Sequence, residues 1–306
     1  MTKAIPHSLQ LKSELERIES EMVRILEASR FERYIKPTNP FTSLGSNPPT
    51  RPQILHRWTE LRPNDAEAQI RLFKQYETWH ASFMSLFWDK PTNQQAELLH
   101  THATVQGWIR SRQHSKIPES NIAAVESFKR DIRPFFDRLD ALADAAKGET
   151  ILIPDTNAVI DYPDLSSYEK IINRPQYEIV ITSTVIGELD KLKRLHANKE
   201  MRARVVDIIR RLKQWRATGD VVRGVQLSDA VTLRMIPNEP DFKQAPSWLD
   251  PENNDDRIVA SALEIQRGNP GATVILITSD LNMQNKASMA HMPSVDPSES
   301  LNGTAP

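Results

Sequence analysis

From Gly148 onward the chain alternates short aliphatic runs with helical stretches, and this pattern restricts that half to an α/β fold, a parallel sheet covered by helices on both faces. Thr150 to Pro154, Glu178 to Thr182 and Thr273 to Thr278 are nearly continuous in aliphatic and β-branched residues, as strands without a wet face are. Between them the pattern predicts a long helical stretch from Val185 to about Ala217 and an edge strand over Val221 to Leu227. A proline-containing insertion over Asp229 to Pro251 follows, with a strand at Val231 to Ile236. A helix over Asp255 to Arg267, a short one over Leu281 to Ser288 and a strand near Met292 to Val295 complete the reading. Residues 296–306 read as a flexible tail.

The first half reads as all-α. Leu11, Leu15, Ile18, Met22 and Ile25 repeat at steps of four and three, one apolar seam on a helix that must bury itself against something. Residues 37–52 hold five prolines and read as an extended loop. Asn64 or Asp65 is expected to cap a helix carrying Ile70, Phe73, Trp79, Phe83 and Phe87, another helix runs near Gln94 to Arg112, and a third carries Ile122 to Leu142 with a kink at Pro134. This divides the chain into a helical domain over 1–147, an α/β domain over 148–295 and the tail. The helical domain is expected to dock, dimerise or restrain, pairing through its seam with a second copy or another protein.

Composition excludes several chemistries. With 306 residues, 26% of them charged, a net charge of −1 and a pI near 6.7, the chain is no polycation, so nucleic acid would have to meet a local basic patch. Having no cysteine, it forms no disulfide or thiolate metal site. No run approaches a membrane span and Met1 to Ser8 lead into no secretory-type stretch, so the reading is cytoplasmic, without a membrane partner. His80, His100, His102 and His114 do not read as a zinc site, because i, i+2 histidines leave a helix on different faces; surface or interface positions are expected. The tryptophans and phenylalanines of the helical half stand at core spacing.

Carboxylates mark the ends of the α/β segments: Asp155 just past the first strand, Glu188 a turn beyond the second, Asp255 and Asp256 at a helix start, Asp280 past the central strand. Each alone reads as a cap or a solvated first-turn acid. Ligands of open parallel sheets bind at the strands' carboxyl ends, so the topology places all of them on one rim. Unpaired acids brought together repel unless a cation neutralises them, and an all-oxygen site selects magnesium or manganese over zinc. Such an ion lowers the pKa of a water and stabilises the oxygens of a phosphodiester, so no side-chain nucleophile is required.

These motifs, Asp155-Thr156-Asn157, Val185 to Lys193, Asn254 to Ile258 and Thr278-Ser279-Asp280, resemble in order the acidic motifs of PIN-domain ribonucleases, over roughly Gly148 to Val295. The Glu188-Leu189-Asp190 motif is similar to the branch that accompanies PhoH-type ATPases and eukaryotic RNA-decay nucleases. The resemblance implies a five-stranded parallel sheet and a magnesium or manganese endoribonuclease acting on RNA. Its four acids fall on Asp155, Glu188, Asp255 and Asp280, with Asp256 an additional metal or supporting acid, and Asn157 and Ser279 orient Asp155 and a water. In the basic stretch after Glu188, Lys191, Lys193, Arg194 and Arg202 are the expected nucleic-acid contacts, against the alternative of a helix's wet face. Trp248 reads as packing under its loop or as a base-stacking platform. A catalytically silent nucleic-acid-binding or scaffold protein, and a DNA 5′-nuclease or phosphatase sharing the acids, stay open.

Overall fold

The computed structural model describes residues 5–35, 54–87, 92–113, 117–145, 149–243 and 245–302. The proline-rich loop expected over 37–52, Trp88, His114 and the 147/148 boundary lie outside these residues. The chain divides into two compact units, residues 11–141 and residues 1–10 with 142–306. Among the described residues no helix is long and apolar enough to cross a membrane.

The helical unit contains most of α1 (His7–Ala28), a ribbon of β1 (Phe31–Ile35) paired antiparallel with β2 (Ile54–Trp58), and helices α2 (Pro63–Ser85), α3 (Thr92–Ser111) and α4 (Asn121–Ala145). The ribbon has no counterpart in the sequence reading, because its strands are separated by the long proline-rich segment. The seam of α1 finds its cover within the chain: Leu11, Leu15, Ile18, Met22 and Ile25 are all buried, and the Trp79 indole donates to the Leu11 carbonyl at 2.8 Å. Asp65 does not cap α2; Arg62 holds that position, Pro63 opens the helix, and Asp65 is bonded by Arg24 at 3.0 Å and Arg62 at 2.8 Å. Pro134 lies inside α4 without ending it. His80 is buried, a core position and not a surface one, and stacks on the half-buried His102 at 3.6 Å, with the Tyr76 hydroxyl 3.0 Å from His102 Nδ1. Trp79, Phe83 and Trp108 are core as well.

The second unit carries β3 (Thr150–Pro154), α5 (Thr156–Asp161), a 3₁₀ turn (Leu165–Ser167), α6 (Glu169–Ile172), β4 (Tyr177–Ile181), α7 (Ser183–Leu195) and α8 (Lys199–Thr218). It continues through β5 (Val225–Ser228), β6 (Val231–Met235), α9 (Asn254–Gly268), β7 (Thr273–Ile277), α10 (Leu281–Met289), β8 (Ser294–Val295) and α11 (Pro297–Asn302). The sheet runs β5-β6-β4-β3-β7-β8; five strands are parallel and β5 pairs antiparallel at the edge. Every residue of β3 and β7 is buried, which is why both read as unbroken apolar runs. The helix expected over 185–217 is two helices, because the Asn198 side chain accepts from the Glu200 amide at 2.8 Å and starts a new one. Residues 297–302, placed in a flexible tail by the sequence, are helical.

The strand order fixes where a ligand fits. From β3 the chain goes to β4 and β6 on one side, then returns to β7 on the other, so order reverses at the β3/β7 pair. There the carboxyl ends of adjacent strands open a crevice. The rim is tied by the Asp155 amide donating to the Ile277 carbonyl at 3.0 Å and the Thr278 amide to the Val295 carbonyl at 3.1 Å.

Candidate active site

A cavity of about 420 Å³ opens at this crevice, and Asp155, Glu188, Asp255 and Asp280 all line it. Each comes from a different element. Asp155 follows β3 and Asp280 follows β7 by three residues, while Glu188 lies in the second turn of α7 and Asp255 in the first turn of α9. Two of them do cap helices: Asp155 accepts from the Ala158 amide at 2.6 Å and Asp280 from the Met283 amide at 2.8 Å. Capping and facing the cavity are compatible, since a cap uses one carboxylate oxygen. Asp255 is not a cap, because Asn253 takes that role by accepting from the Asp256 amide at 3.2 Å.

Hard-bonded neighbours hold the acids in place. The second oxygen of Asp155 accepts from the Thr278 hydroxyl at 2.5 Å, and Glu188 accepts from the Thr156 hydroxyl and from the Asn254 amide nitrogen at 2.8 Å. Asp155 is raised above the ordinary carboxylate range by burial and by the charges of Asp255 and Asp280, against the hydrogen bonds from Thr278 and Ala158. Asp255 is raised by burial, then by Asp280 and Glu188, with Lys286 opposing. Residues 152–298 match the family model of the PIN domain. The C-terminal half of the chain is a PIN domain. No curated protein matches the chain.

PIN domains are generally nucleases, hydrolases that typically use divalent metal ions. The residues of this PIN domain fit such an ion in kind: four carboxylates at one cavity, two of them raised by burial and then by the other acids, and no thiolate. As placed, no three His, Cys, Asp or Glu side chains among the described residues stand together in ligand geometry, and Glu188 is turned onto Thr156 and Asn254.

Several predicted residues stand elsewhere. Asp256 is outside the cavity lining; Lys286 pairs with one of its oxygens and the Asp250 amide donates to the other at 2.9 Å. Ser279 donates to Asp296 at 2.7 Å and takes no part in the lining, while Asn157 does line it. Of the four basic residues, Lys191 reaches the cavity, Lys193 borders a separate depression with Arg210 and Lys213, Arg194 bonds the Asp190 carbonyl at 3.2 Å, and Arg202 lies in the first turn of α8. Trp248 is 37% exposed and lines none of this cavity. The sequence reading missed Thr156, Thr278 and Asn254 as anchors of the acids, and Leu195 and His196 as wall residues. The signal was present for Thr278 and Asn254, each next to or near a motif acid, but a neutral side chain beside an acid has no pattern of its own.

Proposed function

We propose that this PIN domain is a magnesium- or manganese-dependent endoribonuclease that hydrolyses RNA phosphodiester bonds. The observation that carries the reading is the convergence of Asp155, Glu188, Asp255 and Asp280 on one cavity at the strand-order reversal, with Asp155 and Asp255 raised by burial and then by the acids around them. Those four carboxylates would hold the cation. A bound divalent ion supplies the positive charge against the phosphate oxygens and the activation of water that hydrolysis at neutral pH needs.

The remaining work falls to the chain's own groups. Thr278 would hold Asp155 in place, while Glu188 would have to turn from Thr156 and Asn254 to join it on a cation. Lys191 stands at the same cavity to meet a phosphate. Water adds across the scissile P–O bond, and no covalent intermediate with the protein is called for. The test is cleavage of single-stranded RNA, single-stranded DNA, flap DNA and a phosphomonoester with and without added magnesium or manganese, and mapping of the product ends. Internal cleavage of RNA that requires metal and disappears in Asp155→Asn supports the reading. Cleavage of DNA flaps or the monoester alone replaces it with a 5′-nuclease or phosphatase, and binding without any cleavage with a silent site.

A further inference from the structure

One face of α7 continues from the acids along the cavity wall. Glu188, Lys191, Leu192, Leu195 and the C-cap residue His196 follow at i, i+3, i+4, i+7 and i+8, the spacing of a single helical face, and all five line the cavity. The stripe changes character along its length, from carboxylate to cation to apolar side chain and ring. Leu195 is 73% exposed at this wall. The His196 ring is held by its own turn: its Nδ1 accepts from the Asn198 amide at 3.2 Å, and its backbone amide donates to the Leu192 carbonyl at 3.1 Å. With Nδ1 accepting, the neutral ring carries its proton on Nε2.

We propose that Lys191, Leu195 and His196 form the subsite for the nucleotide next to the scissile phosphate. Lys191 meets a backbone phosphate, and the Leu195 side chain and His196 ring meet the face of an unpaired base. The proposal rests on the nuclease reading for the word scissile, but the subsite itself is a binding claim. At 1.5 Å per residue, Leu195 and His196 stand roughly 10–12 Å along the helix from Glu188, so the substrate extends along α7 away from the acids. A base offers its face to a side chain only when it is unstacked, so the site favours single strands over duplex. Contact through the face leaves base identity largely unread.

The test uses the full chain and a fluorescein-labelled oligouridine, with a duplex of equal length as competitor. Binding is followed by anisotropy in calcium over a range of salt, and kcat and KM are measured separately in manganese. Leu195→Ala and His196→Ala are each expected to weaken single-strand binding about tenfold at unchanged salt slope, with most of the catalytic loss in KM. His196→Phe is expected to keep the affinity, because it keeps a ring face. Lys191→Ala is expected to lower the salt slope by about one. Lys191 and Leu195 are exposed, so the melting temperatures of Lys191→Ala and Leu195→Ala should stay at the parent value and separate lost binding from lost fold. Variants that bind as tightly as the parent, a parent that prefers duplex, or a parent that binds no single strand would each overturn the subsite. Binding that responds to these variants in a protein that cleaves nothing supports the subsite and removes the nuclease reading instead.

Discussion

Asp65 in the helical unit and Asp155 in the PIN domain are each 4% exposed, and their surroundings push them in opposite directions. Two guanidinium groups, Arg24 and Arg62, bond Asp65 and hold its carboxyl below the ordinary range. Asp155 receives a hydroxyl and a backbone amide, and burial with Asp255 and Asp280 holds it above that range. One unit closes its buried charge with its own cations and gains cohesion. The other leaves acids facing acids, which weakens the fold locally.

The comparison breaks most visibly in activity. Asp155→Asn and Asp280→Asn keep the helix caps, since asparagine caps as well as aspartate, but lose the charge that would hold a cation. Metal-dependent cleavage is expected to fall by about two orders of magnitude or more at an unchanged far-ultraviolet spectrum; Asp65→Asn, by contrast, should leave kcat alone and lower the melting temperature. Full activity in both rim variants would show that these acids are structural, like Asp65.

A second contrast lies inside the acidic motif itself. Asp256 is buried and paired with Lys286, the arrangement of Asp65 transplanted next to Asp255. Asp256→Asn should cost roughly 2 kcal/mol in urea unfolding by leaving the ammonium without its partner, while the metal dependence of the remaining activity stays at its parent midpoint. A shifted metal midpoint would return Asp256 to the ligand set. Smaller is the loss expected from Thr278→Val, about tenfold in kcat/KM, because Asp155 keeps its charge and loses only the hydroxyl that orients it. Thr278→Ser should restore most of it.

The smallest effects are in stability against pH, where the sign separates the regions. Asp155 and Asp255 have folded pKa values above their unfolded ones, so their contribution is full below the ordinary carboxylate range and is lost as pH rises through the raised values. Asp155→Asn should therefore raise the melting temperature of the metal-free protein by a few degrees at neutral pH, and added manganese should narrow the gap. His80 runs the other way: burial, then His102, pushes it down to about 4, so its contribution is present above 6.5 and lost as pH falls toward 4. His7, also at about 4 through burial and His291, adds a similar acid-side loss in the other unit. Unfolding followed from pH 4 to 8 in the parent, Asp155→Asn and His80→Phe checks both signs.

What the sequence determined by itself was whatever a local pattern can encode. The buried runs at Thr150 to Pro154 and Thr273 to Thr278 announced parallel strands, and the acids placed after them announced a rim, because strand periodicity and strand ends are read within a few residues. The order β5-β6-β4-β3-β7-β8 was decided only by tertiary packing, and with it the placing of Asp155 beside Asp280 across 125 positions of chain. So were the partners of the acids. Asp255 and Asp256 are adjacent and chemically identical, yet one faces the cavity and the other meets Lys286, because on a helix successive side chains point about 100° apart and only the packed neighbours decide which direction is open. The same holds for Leu195 and His196: their place on the cavity wall depends on α7 ending at Leu195, inside a stretch whose pattern reads as one continuous helix.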